Sequence, residues 1–156
     1  MIYYSKGNME LLNLHKVAFL CSRKCPERVV LRAYEWAIEQ RQKGVCVLSG
    51  FHSDIEKDVL YFLLKGTQPI ILALARGFMK DIEPQLRRQI EKNRLLIITP
   101  FEETVKRVTA ETAGLRNRLM LELADEIVVA YARKGGSLDT LVSEIMASGK
   151  IVRMLG

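Results

Sequence analysis

The sequence has 156 residues, of which 49% are hydrophobic and 27% charged, so it can bury an apolar core and is not expected to be disordered. Its formal net charge of +6 permits a polyanionic partner without requiring one. The longest apolar run, residues 69–75, has the length of a strand and is too short to cross a bilayer. The three cysteines and the absence of a secretory signal predict reduced thiols in a cytoplasmic protein that does not bind membranes.

Short apolar runs alternate with helical patterns along the chain, which is typical of a parallel sheet covered by helices. Strands are predicted at residues 17–20, 45–48, 69–74, 95–98, 127–130 and from 151 onward. Helices are predicted from Pro26 to Gly44, from Ser53 to about Gly66, over 84–92, and from Ser137 to Gly149. The pattern from 102 to 112 fits either a helix or a loop. No linker or repeat divides the chain, so we expect one α/β domain, residues 1–156.

In two of these helices, hydroxyl and carboxyl residues indicate the first turn. Ser53 followed by Glu56 forms a capping box, and Ser137 is expected to cap the last helix. Pro26 suits the first helical position. Leu115, Leu119 and Leu123 recur at helical spacing, so they are expected to share one face of a further helix before the fifth strand.

Four polar segments, residues 21–24, 49–53, 115–118 and 133–137, combine small residues with cations or hydroxyls, and we interpret all of them as strand-to-helix loops. The loops after parallel strands meet at the carboxyl edge of a sheet, where ligands bind. Helix N-termini and arginines both stabilise phosphate there. Turns, caps and solvated arginines are the structural alternative for each loop. The predicted phosphate-binding residues are Ser22, Arg23, Ser49, Gly50, Arg116, Asn117, Arg118, Lys134, Gly135, Gly136 and Ser137.

The order of motifs along the chain resembles the DNA-processing protein A (DprA) family. Tyr4-Ser5-Lys6-Gly7-Asn8 is similar to the family's "Y-x-K-G-N", and residues 17–23 to "V-A-I-V-G-S-R". Residues 49–56 are similar to "S-G-L-A-x-G-I-D", residues 116–118 to "R-N-R", and residues 136–140 to "G-S-L-x-T". The chain departs from the family pattern at Cys21, Asp54 and Ala113, which stand where a glycine, a glycine and an aromatic residue are common.

The resemblance implies a Rossmann-like fold, a mostly parallel sheet of about six or seven strands with helices on both faces. It implies a homodimer that binds single-stranded DNA in DNA uptake and recombination (natural transformation) and helps to load a RecA-type recombinase. The DNA phosphates would lie near Arg23, Arg116, Arg118 and Ser137. A basic track would continue over Lys24, Arg76, Lys80 and Lys134, and His52, Phe51 and Phe78 are candidates for base stacking, although the two phenylalanines fit a core equally well.

Two other functions remain open. Nucleotide phosphoribohydrolases share this type of core and use a loop "G-G-x-G-T-x-x-E", which Gly135 to Thr140 and Glu144 match out of register. A sensor could instead bind a free nucleotide without turning it over. The two histidines and Cys21 with Cys25 do not make a zinc ligand set, and no P-loop or dinucleotide fingerprint is present. The sequence therefore favours a binding protein, with no catalytic residue, metal or cofactor assigned.

Overall fold

The computed structural model describes residues 1–156 and contains one seven-stranded sheet in the order β1-β5-β4-β3-β2-β6-β7. Strands β2 to β7 are mutually parallel, and β1 pairs antiparallel with β5 at one edge. This arrangement confirms the predicted Rossmann-like class. The strands are β1 Tyr4–Gly7, β2 Lys16–Cys21, β3 Cys46–Ser49, β4 Ile70–Ala73, β5 Leu95–Thr99, β6 Glu126–Tyr131 and β7 Ile151–Met154.

Five α-helices connect the parallel strands, and a short 3-10 helix, Met9–Asn13, precedes β2. No helix is both long enough and apolar enough to cross a membrane. The capping box of Ser53 and Glu56 is confirmed. Two predicted first turns shift by one residue, because Pro26 and Gly136 are the N-caps and helices begin at Glu27 and Ser137. The helices are α1 Glu27–Lys43, α2 Asp54–Leu64, α3 Pro84–Glu91, α4 Ala110–Leu123 and α5 Ser137–Ala147.

Alternate residues of the strands pack against helices on opposite faces of the sheet. In β2, Phe19 contributes to a cluster with α1 and α2 and stacks on Trp36 at a ring-centroid distance of 4.9 Å. Its neighbours Ala18 and Leu20 belong to a second cluster with α4 and α5. The sheet is therefore buried on both sides, which explains why its strands read as continuous apolar runs rather than as alternating ones.

The chain reverses its direction of travel across the sheet between β2 and β6. From β2 it proceeds through β3 and β4 to β5, and α4 then returns it to β6 on the other side of β2. The connections that leave the carboxyl ends of β2 and β6 therefore diverge. In open α/β sheets the crevice at such a point is where ligands bind.

The interpretation of residues 115–118 as a strand-to-helix loop is wrong. These residues lie in the middle of α4, which begins at Ala110 after a capping box between Thr109 and Thr112. The predicted helical face is present only in part, since Leu119 is buried while Leu115 is 40% exposed. The polar residues of this segment lie on a face of α4 that borders a cleft instead of the core. The sequence of α4 therefore shows only a weak apolar period.

Candidate functional site

A cleft of about 870 Å³ opens at the reversal point between β2 and β6. Its lining comes from the chain after β2, from His52 and Ser53 before α2, from the first half of α4, and from the start of α5. The four predicted segments thus meet at one edge of the sheet, although one of them is helical. Residues more than 100 positions apart in sequence form the two sides.

Cations outnumber carboxylates in this cleft. Arg23, Lys24, Arg116, Arg118 and Arg133 line it, against the carboxylates of Glu56 and Glu144. The side chains of Arg23, Lys24 and Arg133 are exposed and form no ion pair within the chain. An anion can therefore bind to them without displacing an internal partner.

Arg116 is the buried cation of the cleft, with 5% of its surface exposed. Its Nη1 donates to the carbonyl of Ala73 at 3.2 Å, and its Nε donates to Asn117 Oδ1 at 2.8 Å. Burial lowers the pKa of Arg116 below its usual value, and the Glu56 carboxylate acts in the opposite direction. A Cβ at Gly50 would lie 2.2 Å from Nη1, so the glycine makes room for this guanidinium.

The buried carboxylate of Glu56 connects the end of β2 to the start of α2. Its Oε2 accepts from the backbone N–H of Cys21 at 3.0 Å, and its Oε1 accepts from the N–H groups of His52 and Ser53 at 2.9 and 3.2 Å. These N–H groups lie in segments 21–24 and 49–53, two of the loops predicted to form the phosphate-binding edge. Glu56 already satisfies these N–H groups, so they are not available to an anion.

The loops after β2 and β6 are held together by Ser22. Its Oγ accepts from the N–H of Arg133 at 2.9 Å, and its own N–H donates to Tyr131 O at 2.8 Å. Beyond this contact, α5 begins at Gly136, an N-cap without a side-chain hydrogen bond. The N–H groups of Ser137 and Leu138 at the start of α5 have no partner in the chain, so they are available to an anion.

The Arg118–Glu144 ion pair and the His52 side chain also line the cleft. Arg118 Nη1 pairs with Glu144 Oε2 at 3.1 Å, and both side chains are about half exposed. His52 faces the cleft, and burial together with the nearby charges of Arg116, Lys57 and Arg23 lowers its pKa, an effect that Glu56 partly opposes.

Several predicted residues lie away from the cleft surface. Ser49 is fully buried, and its Oγ accepts from the N–H of Phe51, which belongs to the core. Gly50 packs on Arg116, and Phe78 packs beside the core with Lys6 4.6 Å above its ring. The predicted residues that do line the cleft are Ser22, Arg23, Lys24, His52, Arg116, Asn117, Arg118, Gly136 and Ser137, while Ser49, Gly50, Phe51, Phe78, Arg76, Lys80, Lys134 and Gly135 do not.

Three features of the cleft were missed or underused in the sequence analysis. Arg133 lines the cleft, and its neighbour Lys134 does not. Glu56 was predicted only as part of a capping box, but it also lines the cleft. Ala110, Ala113 and Gly114 form an uncharged face of α4 that lines the cleft, and the prediction of a loop at residues 115–118 did not include this face. No group of three or more His, Cys, Asp or Glu side chains is arranged to hold a metal ion.

The whole chain is similar to proteins of one family. A family model described as DNA recombination-mediator protein A matches residues 1–154. No curated protein sequence matches this chain.

Solved structures with the same fold include two DNA processing proteins A. The one from Streptococcus pneumoniae has a TM-score of 0.79 at 20% identity, over 97% of this chain and 54% of that chain, so this chain spans about half its length. The one from Helicobacter pylori has a TM-score of 0.77 at 18% identity, over 97% and 70%. The molybdenum cofactor binding protein from Rippkaea orientalis has a TM-score of 0.61 at 11% identity, over 89% and 74%. At these identities the likeness shows the fold.

Proposed function

This chain belongs to the DNA recombination-mediator protein A family, and on that basis we propose that it binds single-stranded DNA in its basic cleft during DNA uptake and recombination. The observation that carries the proposal is the meeting of Arg23, Arg118 and Arg133 with the open start of α5 in one cleft. Arginine forks and unpaired N–H groups are the donors that phosphate oxygens accept. The related Helicobacter pylori protein has a described single-stranded DNA binding mode.

The proposal extends to the context in which the site acts. We propose that residues 1–156 form one folding unit, that the protein acts in the cytoplasm as a homodimer, and that it assists a RecA-type recombinase. The continuous sheet with a core cluster on each face supports the first point. The three free cysteines fit a reducing compartment. Family membership supports the dimer and the recombinase.

The test is the affinity for a fluorescent single-stranded oligonucleotide, measured by anisotropy at several salt concentrations. We expect Arg23→Ala, Arg118→Ala and Arg133→Ala each to weaken binding roughly three- to tenfold at low salt, and to reduce the slope of log affinity against log salt by about 0.7 per lost phosphate contact. Arg88→Ala on α3 is the matched control, since it removes the same charge outside the cleft. Equal effects of all four substitutions would exclude the cleft as the binding site.

A mononucleotide-binding role is the second candidate, and the contents of the cleft favour it specifically. Thr140 and Glu144, the residues that match the phosphoribohydrolase loop out of register, both line the cleft. However, Glu144 is paired with Arg118. Release of adenine from AMP that is lost in Glu144→Gln would support the hydrolase, whereas tight AMP binding without release would support a sensor.

A further inference from the structure

The outer face of α2, which lies outside the cleft, carries a row of exposed side chains. Lys57, Tyr61 and Lys65 follow one another at intervals of four residues, so they lie on one side of the helix. All three are exposed, and so is Asp54, three residues before Lys57 on the same side. We call Lys57, Tyr61 and Lys65 the α2 stripe. At about 1.5 Å per residue, the stripe is about 12 Å long.

A second hollow connects the cleft to the outer face of α2. Arg23, His52, Ser53 and Asp54 line this space of about 220 Å³. The first three of these residues also line the cleft, so the two spaces are adjacent. Asp54 is the first residue of α2 and stands at the beginning of its outer face. A polymer that leaves the cleft past Arg23 therefore meets the α2 stripe next.

Tyr61 presents an aromatic ring to solvent, with 59% of its surface exposed. Its ring meets the ring of Phe62 edge-on at a centroid distance of 5.7 Å, and Lys65 Nζ lies 4.5 Å from its centroid. Phe62 in turn contacts the ring of Tyr34 on α1 at 5.1 Å. Because these contacts already restrict the ring, it would lose little conformational freedom when a ligand stacks on it.

The cleft itself contains no comparable ring, since no phenylalanine, tyrosine or tryptophan lines it. Proteins that bind single strands without sequence preference combine cations with aromatic side chains on which the bases stack. Among the phenylalanine, tyrosine and tryptophan residues of this chain, Tyr4 and Tyr61 are the exposed ones. Tyr4 lies on the edge strand β1, whereas Tyr61 lies on a helix that starts beside the cleft.

The charges along this route favour a polyanion. Neither Lys57 nor Lys65 forms an ion pair within the chain, so both ammonium groups are free to contact a ligand. The nearby carboxylate of Asp58 accepts a hydrogen bond from a tyrosine hydroxyl of α1. Asp54 is the exposed carboxylate on the route, and Arg23 together with the two lysines outnumbers it.

We propose that a single strand bound in the cleft continues past Arg23 onto the α2 stripe. Tyr61 stacks against one base, and Lys57 and Lys65 contact the flanking phosphates. At about 3.4 Å per nucleotide, the spacing within one strand of a duplex, the stripe accommodates about three or four nucleotides. This inference rests on the proposed function and adds a contact surface outside the cleft.

The test compares a short and a long oligothymidylate, of about 4 and about 16 nucleotides, by fluorescence anisotropy with the full chain. We expect Tyr61→Ala to weaken binding of the long strand at least about fivefold, because it removes a stacking surface, and to leave binding of the short strand unchanged. Tyr61→Phe keeps the ring and should retain the parental affinity. Tyr61→Leu keeps the bulk without the ring and should behave like Tyr61→Ala.

The two lysines are tested through the salt dependence. Lys57→Ala and Lys65→Ala should each reduce the slope of log affinity against log salt by about 0.7 for the long strand, and not for the short one. Two matched controls should have no effect on either strand. Tyr4→Ala removes the exposed tyrosine of β1, and Lys92→Ala removes an exposed lysine at the end of α3.

The possible failures are distinguishable. Parental affinity of Tyr61→Ala for the long strand, or an equal loss for both strands, overturns the α2 stripe. Short-strand binding that depends on Arg118 and Arg133 would then leave the proposed function intact. Long-strand binding that depends on Tyr61 and not on these arginines supports the α2 stripe and excludes the cleft. If neither strand binds, both proposals are overturned.

Discussion

Arg116 and Arg118 lie two residues apart on α4, but their environments are opposite. Arg116 is buried against Gly50 and the carbonyl of Ala73, whereas Arg118 is 53% exposed at its side chain and pairs with Glu144. The first arginine therefore holds the ends of β3 and β4 against the middle of α4, and the second can turn toward a ligand. One motif thus combines a structural arginine with an exposed arginine that we propose binds the ligand.

This difference predicts separate effects of the two arginines on stability. We expect Arg116→Ala to lower the free energy of unfolding by about 2 kcal/mol or more, because it removes the hydrogen bonds of a buried charged group and leaves the Ala73 carbonyl unpaired. Arg118→Ala should cost less than about 0.5 kcal/mol, as is usual for an exposed ion pair. Urea denaturation of both variants measures this, and equal losses would contradict the assignment.

His52 predicts how phosphate binding depends on pH. Burial and the neighbouring cations lower its pKa in the free protein, and a bound phosphate would reverse that repulsion and raise the pKa. Binding then takes up a proton. The contribution of protonated His52 to affinity is therefore fully present below the free-state pKa and is lost as pH rises through the bound-state pKa. Each unit by which the pKa of His52 is higher in the bound state than in the free state strengthens binding about tenfold. Oligonucleotide affinity across pH 5 to 8 should show this trend in the parent protein and lose it in His52→Gln.

At the scale of elements, Glu56 connects two strand-to-helix turns that the sequence separates. Its two oxygens accept three N–H groups, from Cys21 at the end of β2 and from His52 and Ser53 before α2. A side-chain carboxylate thus occupies the position that a ligand anion takes in many sheets of this type. The start of α5 keeps free backbone N–H groups in this cleft, and we propose that a phosphate binds there.

Glu56→Gln should destabilise the protein by about 1–3 kcal/mol, because the amide keeps one acceptor oxygen and leaves at least one buried N–H unpaired. Faster hydrogen exchange at Cys21, or at His52 and Ser53, should accompany the loss. Asp54→Asn is the matched control, since Asp54 is an exposed carboxylate in the same turn, and its effect should stay within about 1 kcal/mol. Similar effects of both substitutions would show that the loss of a negative charge, and not the loss of an acceptor for a buried N–H group, causes the destabilisation.

At the scale of the whole molecule, the sheet connects the two core clusters. Every strand from β2 to β6 contributes residues to both clusters, so neither face can lose its packing alone. The single tryptophan, Trp36, lies in one cluster and is 4% exposed, stacked on Phe19. Its fluorescence therefore reports on one face, while far-UV circular dichroism reports on all helices.

This continuity predicts cooperative unfolding of residues 1–156 as one unit. Urea transitions followed by Trp36 fluorescence and by circular dichroism should coincide in midpoint and slope. Separate midpoints would mean that the α4 and α5 face unfolds independently and would contradict the proposal of a single folding unit.

The strands and most helices were predictable because their signals are local. Buried runs such as residues 95–98 are continuous and apolar, and the pair Ser53 and Glu56 marks the start of α2 directly. The segment 115–118 was misassigned for a physical reason: its helix turns Arg116 and Asn117 toward a polar cleft, so it lacks the apolar period of a core helix. The polarity of residues 115–118 therefore indicated a loop, although the segment is helical.

By itself, the sequence determined the α/β alternation, the order of the family motifs and the edge of the sheet where they collect. Only the tertiary structure decided which groups at that edge remain free to bind. Ser22 contacts Arg133 across 111 positions, and Glu56 and Arg116 occupy N–H and carbonyl groups of strands far from them in sequence. Competition for these partners depends on which strands are neighbours, and strand order is a property of the folded sheet.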